Sequence, residues 1–115
     1  MLAVGKAAIG MAAEAEERLG DRMIEGLVIA PASSIASADA ATLRSRVMSG
    51  AHPLPDASSV AAARSALEFV ARARPGELVL IALSGGASAL VAAPAGAITL
   101  DDKIAVTSAL MRGGA

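Results

Sequence analysis

Apolar residues gather in short uninterrupted runs, with longer stretches of mixed polarity between them. Leu2-Ala3-Val4, Gly26-Leu27-Val28-Ile29-Ala30 and Leu78-Val79-Leu80-Ile81-Ala82-Leu83 each stop at glycine, proline or serine. The longest run predicts a buried parallel strand, and the other two predict short apolar strands. Between the first two, Ala8, Met11, Ala12, Ala15 and Leu19 recur at helical spacing, with Glu14, Glu17 and Arg18 on the other face and Gly20 as a stop. A second helix is predicted after Asp56, a residue suited to the N-cap, with Val60, Ala63, Leu67, Val70 and Ala71 on its apolar side and Pro75-Gly76 at its end. A third begins at the capping-box pattern Thr99-Leu100-Asp101-Asp102, continues through Ile104, Ala105, Ser108 and Met111, and closes at Gly113-Gly114.

The remaining segments carry weaker patterns. Residues Ala32 to Ala41 are rich in serine and alanine without a period and read as a loop. Arg44 to Ser49 alternates enough to predict an edge strand. Gly50-Ala51-His52-Pro53-Leu54-Pro55-Asp56 reads as a rigid loop, because its prolines fix φ and bias the preceding residues away from helix. The order strand, helix, strand, strand, helix, strand, helix is that of an α/β fold built on a parallel sheet. The first strand is short and the last helix has no strand to return to, so both edges of the layer are expected to be incomplete.

Composition narrows the function. The 115 residues suit one small domain. With 10 basic and 11 acidic residues the net charge is -1, which announces no field for nucleic acid or acidic membranes; small molecules or like surfaces are the expected partners. Cysteine is absent, which excludes thiolate metal sites and cysteine nucleophiles and agrees with a reducing cytoplasm. The hydrophobic fraction of 55% is largely alanine. No apolar run reaches the roughly 18 residues of a spanning helix. Lys6 and the acidic Glu14, Glu16 and Glu17 argue against a signal peptide. Phe69 is the one aromatic residue, so a modest core and marginal stability are expected.

Candidate chemistry sits where strands end. Ser84-Gly85-Gly86-Ala87-Ser88 follows the longest apolar run, and its glycines allow backbone N–H groups to approach an anion closely; the plain alternative is a tight turn. Gly5-Lys6 follows the first strand and could set an ammonium over a phosphate or carboxylate, or be a surface lysine in a first helical turn. These two strand-to-glycine junctions imply one shared crevice. His52 is the only histidine and could bond a substrate hydroxyl or exchange a proton near neutral pH, or be an exposed loop residue. Asp56 suits a helix cap better than a catalytic carboxylate. The Gly-x-Ser-x-Gly elbow of acyl transfer, the Walker A loop and the Gly-x-Gly-x-x-Gly dinucleotide fingerprint are all missing.

Five blocks, taken in order, resemble the glycerate 2-kinase family of the MOFRL type, whose members are often labelled hydroxypyruvate reductases. They are Val4-Gly5-Lys6-Ala7-Ala8 with Met11-Ala12, Gly26-Leu27-Val28, Gly50 to Asp56, Ser84 to Leu90, and Ile98-Thr99-Leu100-Asp101-Asp102. The resemblance implies ATP-dependent phosphorylation of the 2-hydroxyl of glycerate with a divalent cation such as Mg2+, in a cleft between two domains. It implies that residues 1–115 are part of a Rossmann-like N-terminal domain, inactive alone, with the second domain absent. Lys6 matches the lysine assigned to the family's active site, and His52, Ser84, Gly85, Gly86 and Ser88 match blocks expected to line the cleft and bind substrate. No metal ligand is assigned within the chain. Ala51 and Ala87 stand where the family usually has glycine. Two other functions stay open: an NAD(P)-dependent hydroxypyruvate reductase, against which the missing fingerprint argues, and a non-catalytic module binding an anion or a partner chain. A surface left by the absent half would favour self-association.

Overall fold

Four strands, all parallel, lie in the order β3-β2-β1-β4. The computed structural model describes residues 1–114. Along the chain run β1 (Leu2–Val4), α1 (Ala8–Leu19), β2 (Leu27–Pro31), α2 (Ala32–Ile35), α3 (Ala38–Thr42), β3 (Arg46–Gly50), α4 (Ala57–Ala71), β4 (Ile81–Leu83), α5 (Ala87–Leu90) and α6 (Leu100–Arg112). β1 sits centrally, with Leu2 opposite Leu27 on one side and Ile81 on the other. The α/β class and the parallel sheet expected from the runs are therefore present.

Successive strand residues point to opposite faces, which divides the core in two. On one face Ala3, Val28 and Ala30 pack against Ala8, Ile9 and Ala12 of α1. Alanine on both surfaces lets the helix lie close to the strands. On the other, Leu2, Val4, Leu27 and Ile29 meet Ala62 of α4 and Leu90 of α5. Covered on both sides, β1 and β2 are buried throughout apart from Pro31.

The helix ends follow their sequence signals. Gly20 closes α1 with a positive φ of 51°. Asp56 caps α4, its carboxylate accepting from the N–H groups of Ser58 at 2.8 Å and Ser59 at 3.4 Å. Thr99 and Asp102 form a reciprocal capping box at α6. Glu16, whose side chain is only 9% exposed, ties α1 to the segment before β3. It accepts from Arg44 N and Ser45 N at 2.9 Å each and from Ser45 Oγ at 2.7 Å. Burial pushes its carboxyl pKa up, but these hydrogen bonds and the Arg44 charge outweigh that and hold it below the ordinary value.

Three expectations need correction. The segment read as a loop holds α2 and α3, helices of 4 and 5 residues that are too short to show a period. In α4 the buried positions are Ser59, Ala62 and Ala63, with Ala66, Phe69 and Val70 packed beside them, while Leu67 is 65% exposed. Alanine is compatible with either face, so the pattern left the helix's rotation poorly defined. The longest apolar run, expected to be a buried strand, contributes only Ile81–Leu83 to the sheet, at its edge, and Leu78 is 91% exposed.

Candidate functional site

Parallel strands bring all their C-terminal ends to one edge of the sheet, and the loops leaving that edge form the candidate site. At the end of β1 the chain turns sharply at Gly5, where φ is 129°. A Cβ there would come 2.7 Å from the Ser84 carbonyl oxygen, so glycine allows the loops after β1 and β4 to touch. They are then bonded together. Lys6 N donates to Gly85 O at 2.9 Å, Ala7 N to Ser84 Oγ at 3.0 Å and Ser84 N to Val4 O at 2.9 Å. The two glycine junctions, expected to share one crevice, are in direct contact, and Ser84 joins them by accepting a backbone hydrogen bond.

β3 lies at the opposite side of the sheet, yet its loop reaches the same place. The path is set by α5, which crosses back over β2 and β3 and buries Leu90. Gly50 lies against the Leu90 backbone, where an added Cβ would come 2.8 Å from Leu90 Cα. Ser59, buried at the start of α4, accepts from Ala51 N at 3.0 Å and from Asp56 N at 3.3 Å, which holds the two ends of the His52 loop. As a result His52 faces Gly86. A Cβ on Gly86, whose φ is 89°, would stand 2.8 Å from His52 Cδ2, 3.1 Å from its Nε2 and 3.5 Å from Lys6 Cγ.

Lys6, His52, Ser84, Gly85 and Gly86, which are far apart in sequence, are thus gathered at one edge. Ser88 lies on α5 directly after them. Space beside Gly85 is open, with nothing within 4 Å of an added Cβ. The four ion pairs among the described residues all use arginine, so the Lys6 ammonium has no carboxylate partner there. Asp56 acts as a cap, and the Ser58 hydroxyl bonded to it is the main reason its pKa lies below the ordinary value. Two contributors were missed from sequence. Ser59 had no signal beyond its place three residues after the cap. Lys103, which donates to Ser88 Oγ at 3.3 Å, was hidden within a helix opening on two aspartates.

This surface fits an anion. Lysine ammonium groups and backbone N–H groups offer donors only, and a serine hydroxyl can also donate. Among the described residues no three His, Cys, Asp or Glu side chains gather into a metal-binding group. No helix of the described residues is long and apolar enough to cross a membrane.

A family model described as "Domain of unknown function (DUF4147)" matches residues 1–115. The chain belongs to the DUF4147 family. Among relatives of this DUF4147 chain is a protein named glycerate kinase from Rattus norvegicus, 33% identical over 125 residues, which span all of this chain and 24% of the rat protein. Another, from Agrobacterium vitis, is named putative hydroxypyruvate reductase; it is 34% identical over 115 residues, again all of this chain and 25% of that protein. The crystal structure of glycerate kinase from Thermotoga maritima superposes with a TM-score of 0.83 at 33% identity, over 99% of this chain and 27% of that one. The chain spans about a quarter of the length of the curated relatives it matches, corresponding to their N-terminal part.

Proposed function

We propose that this chain forms one wall of the active site of a glycerate 2-kinase, in a protein that transfers a phosphoryl group from ATP to the 2-hydroxyl of glycerate. The observation that carries the reading is the meeting of Lys6, His52 and Gly86 from three separate loops at a donor-rich edge of the sheet. Identity of 33% to a protein named glycerate kinase supports it. Both substrates are anions, which suits the chemistry of that edge.

In the transfer, the bond between phosphorus and the glycerate 2-oxygen forms as the phosphorus–oxygen bond to ADP breaks, and the hydroxyl proton is released to water. Lys6 holds a fixed positive charge where negative charge shifts between phosphoryl oxygens. The His52 imidazole orients the sugar-acid hydroxyl, and Gly85 keeps the floor open for close approach. Ser84 holds the loops after β1 and β4 in register. ATP would supply the phosphoryl group, and an accompanying Mg2+ would neutralise charge on its phosphates.

On this reading residues 1–115 belong to a Rossmann-like N-terminal domain, and a second domain supplies the facing wall. The exposed Leu78, Leu80, Ile81 and Leu83 form the surface that the rest of the protein covers. The chain alone therefore lacks turnover and self-associates. The name hydroxypyruvate reductase among the relatives favours a second reading, hydride transfer from NADH or NADPH. The loop after β1, Gly5-Lys6-Ala7-Ala8-Ile9-Gly10, does not carry the dinucleotide spacing that reading needs.

A coupled ADP-release assay with glycerate, ATP and Mg2+ tests the proposal. Turnover is expected from the protein extended to the full length of its relatives and not from residues 1–115 alone. Oxidation of NADH by hydroxypyruvate at a rate above phosphorylation would overturn it in favour of the reductase.

A further inference from the structure

α6 is attached to the rest of the molecule in an unusual way. None of its residues is buried, and Lys103 Nζ to Ser88 Oγ is its one side-chain hydrogen bond to another element among the described residues. Lys103 is itself half-buried, whereas the neighbouring Asp101 and Asp102 are exposed. Neither acid neutralises it. Asp102 is engaged at the cap, accepting from Thr99 N at 2.8 Å and Thr99 Oγ1 at 2.6 Å, and the ion pairs of the described residues leave Lys103 out. A lysine near the start of a helix is opposed by the dipole, and here its charge is directed at a hydroxyl on α5.

The hydrogen-bond inventory of this pair is one-sided. An ammonium has three N–H donors and no acceptor, and one of them goes to Ser88 Oγ. The serine hydroxyl, having accepted, keeps its own proton to give. Two ammonium donors and one hydroxyl donor remain, a set that suits an anionic oxygen and repels cations. Ser88 is two residues beyond Gly86, the residue packed against His52 and Lys6.

We infer that Lys103 and Ser88 form a second anion-binding element of this site, holding a carboxylate or phosphate oxygen where the Gly85-Gly86 loop runs into α5. The inference rests on the glycerate kinase reading for the identity of the ligand, and the shared chemistry is an anionic oxygen of either substrate. It also gives α6 a function: the helix is held to α5 by a residue that binds ligand.

The test measures binding to the full-length protein directly, by isothermal titration with inorganic phosphate, ATP without metal, and glycerate, comparing wild type with Lys103→Ala, Lys103→Arg and Ser88→Ala. Losing one charge-assisted hydrogen bond should weaken at least one of these ligands about tenfold in Lys103→Ala. Arg should restore much of it, and Ser88→Ala should weaken the same ligand less. Loss confined to phosphate and ATP assigns the element to the nucleotide, and loss confined to glycerate assigns it to the carboxylate. Thermal melts without ligand separate binding from folding, since no residue of α6 is fully buried and the variants should melt with wild type. Wild-type binding of these anions that Lys103→Ala leaves unchanged overturns the inference while the kinase reading stands. Failure of wild type to bind any of them overturns both.

Discussion

β1 and β4 lie side by side in parallel register, and both are apolar throughout, yet they have opposite surroundings. All three residues of β1 are buried beneath helices on each face. In β4 Ile81 and Leu83 are exposed, at 51% and 65%. Three apolar residues in a row state that burial is needed without stating what supplies it. β1 is satisfied within the described residues, whereas β4 leaves Ile81 and Leu83 open. The functional edge lies where these two strands end, so one half of the site rests on a finished core and the other on an open one.

The sharpest way to break this comparison is to cut side chains on each side of it. Ile29→Ala in β2 should cost about 3 kcal/mol, because a fully buried residue leaves a cavity between α4 and β1. Leu83→Ala should stay within about 0.5 kcal/mol, as for a surface position. Denaturant unfolding of residues 1–115, at concentrations low enough to keep the chain monomeric, measures both. Equal losses would show that β4 is as well covered as β2.

Glu16 belongs to the finished side. Its replacement by alanine strands the Arg44 and Ser45 donors and should destabilise by about 1–3 kcal/mol at neutral pH. Because the folded-state pKa is lowered, the contribution is complete above the ordinary carboxylate range and is lost as pH falls through the folded value. Glu16→Gln should therefore flatten part of the acid limb of stability against pH. An unchanged acid limb would remove this clamp from the account.

Next in size is a pair within the loop itself. Gly86→Ala forces a positive φ on a residue with a Cβ and presses on His52, so a loss of about 1–2 kcal/mol is expected together with weaker glycerate binding. Gly85→Ala meets open space and should leave stability nearly unchanged. The smallest effect is expected in α6, where Thr99→Ala removes a cap of about 1 kcal/mol. Since α6 has no fully buried residue, hydrogen exchange of its amides should quicken while global unfolding does not move.

These residues also show what the sequence could reveal. Strand runs, the Asp56 and Thr99 caps and the Gly20 stop are local signals, and each marks its element in the structure. α2 and α3 were missed because one helical turn has no period. Leu67 was misplaced because an alanine-rich helix does not define its own rotation. The site was legible as separate pieces: Gly5-Lys6, His52 and Ser84 to Ser88 were all visible as loop residues at strand ends. Their meeting was not, since it depends on α5 recrossing the sheet and on Gly50 resting against Leu90. Lys103 was invisible for the same reason, its contact with Ser88 spanning 15 residues of chain.

The central claim, that the edge shared by β1 and β4 performs phosphoryl transfer to glycerate, is tested most directly at Lys6. In the full-length protein, Lys6→Ala should lower kcat for glycerate phosphorylation about 10²–10³-fold while circular dichroism stays that of wild type. His52→Ala should lose less, chiefly through a raised KM for glycerate. A folded Lys6→Ala protein that phosphorylates glycerate with wild-type kinetics would contradict the account.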